Sequence, residues 1–187
     1  MKLKPVRIPQ SIQWLPAERL GRLDVDYNLR PWLIGHGLLT ARLRSTCGGK
    51  FALRLIDQWT GLLTSSQKAG LRVGDNAGLF RDVEMFNGDQ VLVFAQTVAP
   101  DSTLSRHSWL AELGDTPLDE TLNGLTGVDR SSYEYAWVPG DDPLTARALR
   151  DAEVKPSGLW ARRSRVALRG APLLMQEVFL PAMGRSV

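Results

Sequence analysis

Cysteine and histidine are scarce in this chain. The single Cys47 excludes an internal disulfide, and with only His36 and His107 beside it a Cys/His zinc cage is short of ligands. No apolar run approaches the ~18–20 residues needed to cross a bilayer. The basic start, Met1 to Arg7, lacks the apolar stretch of a secretory signal. Gly-x-Gly-x-x-Gly after a strand, a Walker-type loop, His-Glu-x-x-His and a Gly-x-Ser-x-Gly elbow are all missing. His36 lies between glycines and His107 on an amphipathic segment, and both read as ordinary histidines. Cys47 reads as a small buried hydrophobe. These absences predict a cytoplasmic protein with no metal.

The 187 residues are 43% hydrophobic and 23% charged, which fits one folded domain and excludes a disordered or fibrous chain. The formal charge of +3 is unevenly spread. Residues 101–156 hold 11 acidic and five basic groups, a net −6, which leaves +9 for the rest. Positive charge that serves a function should therefore lie outside the middle segment.

The apolar pattern suggests an α+β domain on an antiparallel sheet. Residues 14–38 read as short helical pieces. Leu38, Leu39 and Leu43 have helical spacing, and Gly48-Gly49 supply a stop. Phe51, Leu53 and Leu55 alternate as in a strand, and residues 60–78 read as a loop or covering flap. Two β-rich runs, 79–86 and 90–98, flank Asn87-Gly88 and predict a hairpin with that pair at its turn. A second hairpin is predicted from Ser164 to Leu180 with its turn at Gly170-Ala171. Between them, Ser105–Leu113 reads as a helix, and Thr116-Pro117-Leu118 reads as another helix start with Thr116 as N-cap. Residues 131–156 have no clear period and read as a surface excursion, peripheral like the N-terminal residues 1–27.

Three positions resist a purely structural reading. Glu177 shares a strand face with Leu173, Met175 and Phe179, where an ionised carboxylate must be paired or hydrogen-bonded. It serves either a ligand or an ion pair between strands. Arg81 stands on a face with Val83 and Met85, and its planar fork suits a carboxylate. The helix start at Leu118 offers first-turn N–H groups to an anion. A basic run, Arg162, Arg163, Arg165 and Arg169 after Trp160, allows phosphate contacts and stacking, although a solvated face explains it as well.

Leu159-Trp-Ala-Arg-Arg-Ser-Arg followed by Gly170-Ala-Pro-Leu-Leu-Met-Gln-Glu-Val-Phe-Leu-Pro-Ala strongly resembles the C-terminal signature of the bacterial chorismate pyruvate-lyase family. In the same order come Leu33 to Arg44, Phe80-Arg81-Asp82, Ala95-Gln-Thr-Val-Ala-Pro with Ser102-Thr-Leu, and Leu113-Gly-Asp-Thr-Pro-Leu118, so the likeness spans roughly residues 28–182. The resemblance implies a single domain with a six-stranded antiparallel sheet, helices on one side and flap loops over a buried site. It implies a lyase that forms 4-hydroxybenzoate and pyruvate from chorismate for ubiquinone synthesis, without metal or organic cofactor. Such a protein is expected to act as a monomer on its small-molecule substrate, with no nucleic-acid partner.

Carried over position by position, the family's carboxylate-binding arginine falls on Arg81 and a backbone N–H contact to the same carboxylate on Leu118. The carboxylate near the product hydroxyl falls on Glu177, and a further backbone contact on Leu39. Where the family commonly has arginine this chain has Gln96, so charge for the second carboxylate is sought from Arg42, Arg162, Arg163 or Arg165. The alternative is a non-catalytic small-molecule sensor, because effector domains of some transcription regulators resemble the same fold.

Overall fold

The computed structural model describes residues 12–21, 24–152 and 156–185. The basic start and residues 153–155 of the expected excursion lie outside them.

The N-terminal part is a series of short pieces: strand β1 (Leu15–Pro16), helix α1 (Ala17–Leu20), helix α2 (Arg30–Ile34) and helix α3 (Leu39–Cys47). Gly48 ends α3 with a φ of 57°, a left-handed value that glycine adopts without penalty. Strand β2 (Phe51–Leu62) runs further than its alternating start suggested, and helix α4 (Ser65–Leu71) occupies the middle of the expected loop. The signal for α4 is a reciprocal cap. The Thr64 hydroxyl accepts from the Gln67 N–H, and the Gln67 side chain accepts from the Thr64 N–H.

Strands β3 (Ala77–Asn87) and β4 (Gln90–Pro100) form the predicted hairpin. Asn87 pairs with Gln90, so Gly88-Asp89 are the central turn residues and the expected turn is displaced by one. The helix expected over 105–113 is replaced by α5 (Asp101–Leu104) and a 3-10 turn (Ser108–Glu112), because His107 at φ −139°, ψ 62° breaks the run. Helix α6 (Leu118–Asn123) starts one residue later than expected, with Pro117 rather than Thr116 as N-cap.

Residues 131–156 are not an excursion. Strand β5 (Val128–Arg130) precedes them, and they supply β6 (Glu134–Pro139) and α7 (Pro143–Ala148). β6 pairs with β7 (Gly158–Leu168) and buries Tyr135, Ala136 and Val138. The closing hairpin joins β7 to β8 (Ala171–Phe179) through Arg169 and Gly170, both at positive φ. This is the type I′ pattern that suits the twist of the strands.

The sheet therefore has eight strands rather than six, in the order β1-β6-β7-β8-β4-β3-β2, with β5 also paired to β7. Every pairing is antiparallel. Helices lie on both faces rather than one. On the first face, α2 and α3 pack Trp32, Leu33, Leu39 and Leu43 on Val83, Met85, Ala95 and Phe179. On the same face, α6 brings Leu118 and Leu122 to Leu79, Ala99, Val166, Leu173 and Met175. The second face is covered by α7, through Leu144 and Ala148 on Phe94, Ala136 and Val178, and by α4, through Leu71 on Phe80, Val98 and Leu174. Strands β3, β4, β7 and β8 are thus buried on both sides, which explains their nearly continuous apolar character. Among the described residues no helix is long and apolar enough to cross a membrane.

The cap on α4 predicts a measurable cost. Thr64→Ala removes the acceptor for the Gln67 N–H and should destabilise the fold by about 1 kcal/mol. It should lower the urea midpoint without changing the slope.

Candidate functional site

Along each central strand the first face reads apolar, polar, apolar. On β3, Arg81 lies between Leu79 of the α6 cluster and Val83 of the α2–α3 cluster. On β4, Thr97 lies between Ala99 and Ala95, and on β8, Glu177 lies between Met175 and Phe179. On β7, Ser164 and Arg162 lie between Val166 and Trp160. The register aligns these residues: Arg81 with Thr97, Thr97 with Met175, Ala95 with Glu177, Glu177 with Arg162 and Met175 with Ser164. A polar seam therefore crosses the sheet between two apolar clusters. Strand spacing and rise put the Arg81 and Glu177 Cα atoms roughly 12 Å apart, two strands over and two residues along.

Arg81 is only 3% exposed. Its Nη2 donates to the carbonyls of Gly114 at 2.7 Å and Thr116 at 3.0 Å, which fixes the guanidinium against the segment entering α6. Among the described residues its Nε is buried with no partner, and so is Oε1 of Gln58, the residue paired with Arg81 on β2. Burial lowers the Arg81 pKa, with the Asp115 charge pulling it back up. A buried cationic donor without an acceptor is costly unless a ligand completes it.

At the other end Glu177 is an ion-pair partner, as one of its two sequence readings required. Arg162 Nε donates to Glu177 Oε2, and both side chains are nearly fully buried. Arg162 Nη1 donates to the carbonyls of Trp32, Leu33 and Gly35, at 3.2, 3.2 and 2.8 Å, so it satisfies the C-terminal end of α2. Its guanidinium carbon lies 4.3 Å from the ring centre of Tyr133. Burial works against the Arg162 charge, but Glu177 and Tyr133 outweigh it and its pKa is raised. Glu177 Oε1 has no hydrogen bond among the described residues and remains open as an acceptor.

The two backbone positions are held together by a contact that the sequence did not reveal. Thr40, next to Leu39, donates its hydroxyl to both Asp119 carboxylate oxygens at 2.8 Å and its N–H to one at 3.2 Å. Asp119 follows Leu118, so this pair sets the start of α3 against the start of α6. Burial raises the Asp119 pKa and the Glu177 charge raises it further, while the Thr40 bonds oppose both. As the first residue of α6, Leu118 has an N–H with no intrahelical acceptor. Arg130 was also missed: from β5 it donates to Ser164 Oγ at 2.8 Å and reaches the Met175 sulfur.

Arg81, Glu177, Leu118 and Leu39 thus gather on one face, but the proposed second-carboxylate region divides. Arg162 and Arg42 lie on that face; Arg42 bonds the Pro31 carbonyl at 2.8 Å and covers the Trp32 ring. Gln96 points through the sheet the other way, where its Nε2 donates to Asp82 Oδ1 at 3.0 Å. Arg163 shares that opposite face and pairs with Glu134 at 2.7 Å, and Arg165 has the same parity on β7. Strand alternation is the reason, because neighbours in sequence face opposite sides. The basic run is therefore no continuous solvated patch: Arg162 is 1% and Arg163 7% exposed.

The Asp119 latch carries a pH prediction. A carboxyl whose pKa is raised on folding contributes stability that is full below the ordinary aspartate range and is lost as pH rises through the folded value. Asp119→Asn should flatten the decline of melting temperature with rising pH in that window. An unchanged profile would show that Asp119 does not titrate across it.

Sequence and fold comparisons place the chain among known proteins. The family described as Chorismate lyase matches residues 8–185. A protein of Azoarcus sp. strain BH72 named probable chorismate pyruvate-lyase is 37% identical over 84% of this chain and 86% of its own length. One of the same name from Aromatoleum aromaticum is 36% identical over 94% of this chain and 95% of its own. Among solved structures, the effector domain of PhnF from Mycobacterium smegmatis shares the fold with a TM-score of 0.54 at 16% identity, covering 80% of this chain and 92% of that one. A GntR-family regulator from Enterococcus faecalis gives 0.51 at 15% identity, over 71% and 95%. With a family match over nearly the whole length, the chain belongs to the chorismate lyase family.

Proposed function

We propose that the chain eliminates pyruvate from chorismate to give 4-hydroxybenzoate, the step that feeds ubiquinone synthesis, without a cofactor. The observation that supports this reading is the buried Arg81 Nε, unpartnered among the described residues, on the same polar seam as Glu177. The substrate is a dianion with a ring carboxylate at one end and a C4 hydroxyl at the other. Arg81 and the Leu118 N–H hold the ring carboxylate, Glu177 Oε1 accepts from the C4 hydroxyl, and the Leu39 backbone flanks that end. The enolpyruvyl carboxylate is directed toward Arg42 and Arg130, two further cations on the same face.

The chemistry asks little more of the protein. The C3–O bond breaks with its electron pair leaving on the enolpyruvyl oxygen, C4 loses a proton as the ring becomes aromatic, and the enolpyruvyl methylene carbon gains one to give pyruvate. Aromatisation supplies the driving force, so catalysis reduces to holding the reactive conformer and placing fixed charge. Arg162 assists as a positioning residue by fixing one Glu177 oxygen and leaving the other free.

Incubating the protein with chorismate and following 4-hydroxybenzoate and pyruvate tests the reading; tight binding with no product would mark a ligand-binding domain instead. Glu177→Ala should lower kcat by about a hundredfold with a smaller change in KM. Turnover equal to the parent's would remove Glu177 from the mechanism. Because Gln96 faces away from the seam, Gln96→Arg should leave kcat/KM within about twofold.

A further inference from the structure

The second face of the sheet has a cavity of its own. It encloses about 360 Å³, and its walls include Trp14, Trp59 and Phe80 with Arg147 at one side. That is within the range of small-molecule pockets. Trp59 and Phe80 stack with ring centres 5.0 Å apart, presenting a flat aromatic wall.

Three glutamines supply the amides of the cavity, beside Thr64, Ser66, Asp142 and Arg147. Gln67 Oε1 accepts from the Thr64 N–H, and its Nε2 donates to Gln96 Oε1 at 3.4 Å. Gln96 in turn donates to Asp82, which Arg147 also contacts. These amides are engaged. Gln176 is different: it is paired with Gln96 in the sheet, lines the cavity and is 5% exposed, yet its side-chain amide has no partner among the described residues. The amide is therefore open to the cavity rather than sealed in the core, and can hydrogen-bond what enters it.

The charged groups nearby are already engaged. Arg147 bridges Asp57 at 2.9 Å and Asp82, and it lies over the Trp59 ring at 4.1 Å. Asp142 accepts from the Leu144 N–H at the start of α7. The free chemistry is therefore the Gln176 amide and the buried Trp14 indole N–H beside aromatic walls, with Asp142 in the lining and the Arg147 charge already shared by two aspartates. From this the geometry points to a second small-molecule site, on the opposite side of the sheet from the seam, that takes a neutral planar aromatic carboxamide or lactam. Its amide edge exchanges two hydrogen bonds with Gln176, and its ring lies against Trp59 and Phe80. The site does not suit the dianion proposed for the seam.

Benzamide is the probe, added to the full chain while side-chain amide, indole and guanidinium N–H signals are followed by NMR. Saturable shifts are expected at the Gln176 amide and the Trp59 indole, with the Arg81 Nε–H unmoved. Gln176→Met, checked for an unchanged melt, should weaken benzamide about tenfold, and benzoate should bind about tenfold more weakly than benzamide. No saturable shift up to about 10 mM would overturn the proposal. Equal affinity in Gln176→Met, benzoate binding as tightly as benzamide, or shifts centred on Arg81 would do the same. The readout is binding alone, so it stands or falls independently of chorismate turnover.

Discussion

One buried guanidinium holds the candidate site in place. Arg162 is almost wholly removed from water, and burial of that kind is tolerated only when the charge is paired and hydrogen-bonded. Its Nε meets Glu177 on the neighbouring strand, its Nη1 meets three carbonyls at the end of α2, and its face meets Tyr133. The sheet, the helix layer and the acid of the seam are therefore tied at one point. Glu177 keeps its place because Arg162 neutralises it, and Arg162 keeps its own because α2 ends where it does. Removing either partner alone would strand a charge in an apolar interior.

The remainder of the site follows from how the two helix starts meet. Arg81 is oriented by the carbonyls of Gly114 and Thr116, just ahead of α6, and α6 is fastened to α3 through Asp119 and Thr40. Neither contact is a long element; α6 has six residues and α3 nine. Short helices have little stability of their own. Here their position is set by specific polar bonds across the face, and the backbone N–H groups inherit that precision.

Local chemistry was readable from the sequence, and long-range pairing was not. The β3–β4 hairpin is visible because two β-rich runs flank a turn-forming pair, although Gly88-Asp89 rather than Asn87-Gly88 occupy the centre. Arg81 and Glu177 stood out because charge on an apolar strand face demands a reason. Helix α4 went unseen behind its Gly, Ser and Thr content, despite the Thr64–Gln67 cap. β6 was hidden because Tyr135 and Ala136 are both buried, which breaks the period of two. Asp119 looked like an ordinary first-turn acid, and its partner Thr40 lies 79 positions away. Gln96 was grouped with the second-carboxylate region, and its facing away from the seam was hidden because the facing of a doubly buried strand depends on its neighbours' register, which no local pattern shows.

The alternation of β4 and β8 has a further implication for how such a protein can change. Gln176 and Glu177 are consecutive, yet one belongs to the glutamine-floored cavity and the other to the seam. The sheet acts as a partition only one backbone thick, with separate chemistry on its two sides. Substitutions at every second position can therefore remodel one chamber while the other keeps its lining. A motif read continuously along such a strand is then two interleaved sets of residues, each answering to a different chamber.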